Sequence, residues 1–169
     1  MQVCEGELGN RMKAISLWEP YASLIRTGAK TIETRPWHTK YRGPLLICAA
    51  KRKNVNDLNY YLAHWSFQGG LAPLKGKPLD LAAKSWPGIK INDLNFGMAV
   101  SLIDLYDCKP TDDCTISEIA QNKPFGDFSP GRYAWFLRMI DNSFESFPVT
   151  GRQRIFNVDD DLIRSEEHT

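Results

Sequence analysis

The chain has 169 residues, enough for one domain with a full hydrophobic core. Its 43% hydrophobic and 24% charged content is ordinary for a globular protein, and a net charge of +1 gives no global pull toward a polyanion. No apolar run reaches the roughly 18 residues of a membrane helix, no N-terminal stretch reads as a signal peptide, and the four cysteines form no CxxC pair.

Residues 1–11 are polar and irregular and read as a flexible leader. Met12 to Leu17 is a short apolar strand. Pro20 then sits where a first helical turn tolerates its missing N–H. Tyr21, Leu24 and Ile25 make one face of a short helix to Thr27, which Gly28 closes. Lys30 to Arg35 is the next strand, and strict alternation puts Lys30, Ile32 and Thr34 on one side and Thr31, Glu33 and Arg35 on the other, although a bulge or a strand start at Lys30 would turn that residue. After the turn Tyr41-Arg42-Gly43-Pro44, Leu45 to Ala50 is a buried strand holding Cys48. Asn54 caps one helix running to Ser66, with Trp65 on its core face. Residues 67–91, rich in Gly, Pro and Lys, read as a surface insertion with a helical turn at Leu79 to Ala83 and Trp86 as a packing anchor.

Phe96 to Tyr106 is a long strand, and Thr115 with Glu118 is a capping box opening a short helix to Gln121. Arg132 to Ile140 is a strand in which one of the neighbours Trp135 and Phe136 is core. Phe147 to Val149 and Arg154 to Val158 close the fold, and residues 161–169 form an acidic tail. About six short strands with Gly/Pro turns and few helices predict an α+β, mainly β fold: a small β-barrel with helices packed around it, spanning residues 12–160 as a single domain.

Charge is unevenly spread. From Arg26 to Lys53 eight Lys and Arg face one acid, Glu33, a local net of +7, whereas Asp104 to Asp127 carries six acids and two lysines, a net of −4. Such asymmetry points to an anionic partner unless the charges fold onto separate solvated faces. GxGxxG, Walker and HExxH signatures are absent, and His38, His64 and His168 are too scattered for a histidine metal site, so no cofactor and no metal are expected. Glu33 and Arg35, on one strand face, suit a carboxylate that fixes a guanidinium before ligand arrives; a plain structural ion pair would look the same. Trp18, Tyr21, Trp37, Tyr41, Tyr133 and Trp135 supply flat faces, and Lys40, Arg42 and Lys51 to Lys53 supply cations for phosphate. Lys51 to Lys53 could equally be a solvated strand end.

The segment from Ser16 to Arg52 resembles an ASCH domain, of the PUA-like superfamily, through the pattern G-x-K-T-[IV]-E-x-R, then W, then Y-R-G-P/R-L. Gly28, Lys30, Thr31, Ile32, Glu33, Arg35, Trp37, Tyr41, Arg42, Gly43 and Leu45 fill it. The stretches Gly97 to Cys108 and Gly131 to Leu137 are similar to the family's last strands, so the resemblance covers roughly Met12 to Val158. It implies a PUA-like barrel and a nucleic-acid-binding domain, with RNA the first expectation and DNA or a nucleoside the others. The expected binding residues are Trp18, Tyr21, Lys30, Glu33, Arg35, Trp37, Tyr41, Arg42, Lys51, Arg52, Arg132 and Tyr133.

Some small ASCH proteins are amidohydrolases of acetylated cytidine that use a Lys, a Thr and a Glu. Lys30 matches that lysine, but Glu33 stands where they carry the Thr, and their glutamate has no counterpart here. The departure argues against the Thr mechanism and leaves a metal-independent Lys30/Glu33 site, with Glu33 as general base and Lys30 and Arg35 stabilising an oxyanion. Ribonuclease activity and a protein-interaction role like that of a coactivator's ASCH domain are the further alternatives. The chain is expected to be a cytoplasmic, nucleoid-associated or nuclear monomer with no membrane partner.

Overall fold

The computed structural model describes residues 11–82 and 85–159. Most of the expected leader and all of the acidic tail lie outside the described residues; Arg11 already belongs to the first strand.

Seven strands form one mixed sheet: β1 (Arg11–Leu17), β2 (Ile32–Arg35), β3 (Gly43–Ala49), β4 (Met98–Pro110), β5 (Tyr133–Met139), β6 (Phe147–Pro148) and β7 (Ile155–Asp159). The spatial order is β2-β5-β4-β3-β1-β7, with β6 pairing the start of β4. Among the described residues only β1 and β3 run parallel, Ala14 opposite Leu46, and the chain between them carries the crossover that parallel pairing requires. The β-rich α+β class is as expected. The ladder is an open path, however: edge strands β2 and β7 do not pair with each other among the described residues.

That crossover holds helix α1 (Tyr21–Arg26). Its Ala22 and Ile25 pack on the sheet with Leu45, Ile47, Val100, Ile103 and Trp135. On its other side Leu24 joins Leu58, Phe67, Leu71, Leu94 and Phe125 in a second cluster. The helix is therefore a buried wedge between two cores. Gly28, at φ +82°, ends it by bonding its N–H to the Ile25 carbonyl at 3.0 Å.

The second cluster corrects the expected insertion. Residues 54–66 do not form one helix: α2 (Val55–Leu62) stops, the chain turns at Ala63-His64, and α3 (Trp65–Leu71) follows. Gly70 is a packing glycine, since a Cβ there would lie 2.8 Å from the Leu24 side chain. The buried Gln68 amide donates to the carbonyls of Leu62 (2.8 Å) and Ile89 (3.0 Å) and accepts from the Ile89 N–H (2.7 Å). One side chain thus fastens the returning loop to the helices, and Ile89 is buried. Leu79 and Asp80 are irregular and Leu81-Ala82 form a turn but no helix, while Ala83 lies outside the described residues. Trp65 is not core either: the helix break puts it in the first turn of α3, 51% exposed and edge-on to the exposed Trp86 at 4.7 Å. Thr115 and Glu118 do form the capping box of α4 (Ile116–Ile119). Trp135 and Phe136 are both buried, not one of the two.

Candidate nucleic-acid interface

The strand containing the family pattern begins later than alternation suggests, and this sets the site. After Gly28 the chain turns so that the Lys30 N–H bonds the Leu24 carbonyl at 3.0 Å, and β2 starts at Ile32. Lys30 therefore escapes the alternation and meets Glu33: its Nζ lies 3.3 Å from Glu33 Oε2 and donates to the Phe125 carbonyl at 2.6 Å. Lys30 is 2% exposed, with its ammonium 5.5 Å from the Tyr21 ring centroid. Burial pushes the ammonium below its ordinary pKa, and the Glu33 carboxylate works against that shift.

The other carboxylate oxygen, Glu33 Oε1, stands 3.1 Å from Arg35 Nε. The contact is an ion pair without hydrogen-bond alignment, because Arg35 Nε makes no hydrogen bond. Arg35 Nη2 donates to the Ser16 carbonyl at 3.1 Å, which ties the guanidinium to β1. Lys30, Glu33 and Arg35 form one chain of alternating charge running from the core to the surface, with Glu33 held from both sides.

Glu33 and Arg35 line a cleft of about 410 Å³ together with Trp18, Tyr21, Arg52, Arg132, Asn54, Asp57, Tyr61 and Phe96. Trp18 is 48% exposed at its mouth. Arg132 is aimed by its bonds to the Thr34 carbonyl (3.2 Å) and the Asp127 carbonyl (3.1 Å). Burial, reinforced by the hydrogen bond to Tyr61, pushes the Tyr21 hydroxyl well up, so it stays a neutral hydroxyl at physiological pH. Three arginines and four aromatic rings thus line the cleft with three carboxyl side chains, the fixed Glu33, Asp57 on the α2 wall and the buried Glu19.

Six of the twelve expected binding residues line this cleft: Trp18, Tyr21, Glu33, Arg35, Arg52 and Arg132. Lys30 lies behind Glu33 and does not line it. Lys51 lines the adjoining groove. Trp37 packs edge-on against Trp135 at 4.7 Å, and Tyr133 lies against His38. The Tyr41 hydroxyl bonds the Pro44 carbonyl, while Arg42 donates to the carbonyls of Thr39 and Tyr41, both at 2.9 Å. These four aromatics and cations brace the β2–β3 connection.

Sequence reading missed Glu19, Asn54, Asp57, Tyr61 and Phe96. Asn54 was legible as a cap, and its side chain does accept from the Asp57 N–H at 3.3 Å; that this helix start faces β2 depends on long-range packing. Glu19 is buried and accepts from the Ser23 N–H (3.0 Å), the Ser23 hydroxyl (2.6 Å) and the Asn95 N–H (2.9 Å), which joins α1 to the Phe96 loop. Burial raises its pKa above the ordinary 4.5 despite these donors. Between pH 4.5 and the raised value the folded chain keeps a proton that the unfolded chain has lost, so stability from this group falls as pH rises through that window. Relative to a Glu19→Gln variant, the parent should lose stability on going from pH 4.5 toward neutrality, read from urea midpoints. A difference independent of pH would show that Glu19 titrates normally.

Among the described residues no group of three His, Cys, Asp or Glu is placed to hold a metal ion, and no helix is long and apolar enough to cross a membrane.

An open β-rich sheet, a helix in its parallel crossover and a cleft built on K-T-I-E-T-R define the class. The ASCH domain profile matches residues 15–141, and the chain belongs to the ASCH domain family. It is 28% identical over 149 residues to activating signal cointegrator 1 of Mus musculus and to that of Homo sapiens. Each alignment covers 86% of this chain and 22% of the relative, so the chain spans about a fifth of the length of these proteins.

Proposed function

We propose that this chain binds single-stranded RNA and takes one unstacked base into the cleft. The observation that carries the proposal is the convergence of half-exposed Trp18 with Arg35, Arg52 and Arg132 around the fixed Glu33 carboxylate. An exposed indole is a stacking platform, guanidinium groups bind phosphate or a base edge, and a carboxylate accepts from a base N–H; single-strand recognition uses these parts together. A duplex keeps its bases stacked and offers nothing for a cavity of this size. Lys30 is a positioning residue here, acting through Glu33.

Trp18→Ala is expected to weaken binding of a single-stranded oligoribonucleotide by about 1–3 kcal/mol, with an unchanged melting temperature because the ring is half exposed. Arg35→Ala should weaken it by at least as much. Parent-like affinity in both variants would remove the cleft from the interface.

A second reading is favoured by Glu33 standing in the cleft wall: general-base activation of water in hydrolysis of a modified nucleoside or of RNA. Glu33→Gln would then abolish turnover while sparing binding.

A further inference from the structure

Beside the cleft lies a second, larger groove of about 920 Å³, and Arg52 and Phe96 line both. The groove runs between the end of β3, the start of β4 and the loop after β6. Its floor is apolar, with Phe96, Met98 and Val149, and its rim carries Lys51, Arg52 and Arg152, all exposed. No carboxylate lines it, and none of the three cations has an ion-pair partner among the described residues. Lys40, Lys77 and Lys123 likewise have no ion pair among the described residues, so what sets the groove apart is that three cations line it together with no carboxylate. Gly151 lets the loop lie directly on β1: a Cβ there would stand 2.3 Å from Ser16 Oγ.

Three exposed cations lining one groove that holds no carboxylate favour a polyanion that spans them. From this we infer that the ligand is a strand and not a free nucleoside, and that the nucleotides flanking the base in the cleft run through the second groove. Their phosphates lie on Lys51 and Arg152, and their sugars and bases cover the apolar floor. Arg52 stands at the junction, where the backbone leaves the cleft. The inference rests on the proposed RNA binding and adds the path of the strand.

The test compares a ribonucleoside 5′-monophosphate with a single-stranded oligoribonucleotide, each titrated against the parent and against Lys51→Gln/Arg152→Gln at several salt concentrations. Both substitutions are on the exposed rim and outside the cleft, so equal melting temperatures are expected. In the parent the oligonucleotide should bind about tenfold tighter or more. In the double variant that advantage should vanish, with the slope of log affinity against log salt shallower by about 1.4, the value for two lost phosphate contacts on a single strand. The monophosphate should bind both proteins alike. Equal binding of the two ligands by the parent, or an unchanged salt slope in the variant, would overturn the strand path and leave the cleft proposal standing. If neither ligand binds the parent, both fall.

Discussion

Lys30→Ala is expected to destabilise the fold by about 3 kcal/mol, the lower end of the roughly 3–5 kcal/mol for removing one partner of a buried ion pair. The lysine is 2% exposed, and its ammonium serves two acceptors, the Glu33 carboxylate at 3.3 Å and the Phe125 carbonyl at 2.6 Å. Removing it leaves the carbonyl unsatisfied and Glu33 with Arg35 alone, and that remaining partner is why the lower end applies. The pair itself is no large source of stability. Burial outweighs Glu33 in setting the lysine's pKa, so desolvation offsets the Coulombic gain. Its service is to hold Glu33 in the cleft wall. Lys30→Met, which keeps the stem and removes the charge, should be destabilised comparably and should also bind RNA more weakly, because Glu33 is then free to turn toward Arg35. Urea unfolding measures the first effect and titration the second. A Lys30→Met protein with parent stability and parent affinity would show that the charge chain organises nothing.

Trp135→Ala should cost about 3–5 kcal/mol. The indole is 1% exposed at the centre of the sheet core, touching the α1 face and standing edge-on to Trp37. Its loss opens a cavity that neighbouring β-strands cannot close, and Trp37, with Arg154 over its ring at 5.3 Å, would lose its backing. The indole N–H is buried without a hydrogen-bond partner among the described residues. An unpaired buried donor is itself a cost, so Trp135→Phe should be far milder than Trp135→Ala, about 1 kcal/mol. Thermal or urea unfolding of both variants checks this. Equal destabilisation by Phe and Ala would mean that the indole N–H is satisfied in solution.

Local signals carried most of the fold. Alternation and turn residues placed the main strands, Gly28 closed α1, and Thr115 with Glu118 opened α4, because each is written within a few residues. Four of the twelve expected binding residues converge for the same reason: Glu33 and Arg35 share a strand face, and Trp18 and Tyr21 flank one turn, whereas Arg52 and Arg132 arrive through long-range packing. The failures are long-range. Alternation alone left the side of Lys30 open, and the late start of β2 at Ile32, after the Gly28 turn, decides it. Residues 67–91 looked loose because Gly69-Gly70 and the prolines resemble loop chemistry, whereas Gly70 is small to admit Leu24 and Gln68 is buried to clamp Ile89. The α2 wall of the cleft, Asn54, Asp57 and Tyr61, was invisible because only packing through the second cluster brings it opposite β2.

The most direct measurement is a titration of the unmodified protein with single-stranded RNA, duplex RNA and duplex DNA at two salt concentrations, with the nucleic acid analysed afterwards by mass spectrometry. Single-stranded RNA should bind best, more weakly at the higher salt, and be recovered intact. Equal affinity for duplexes, or no salt-sensitive binding to any of them, would contradict a base-accepting cleft with a cationic strand path; recovery of cleaved strand would make the protein a ribonuclease.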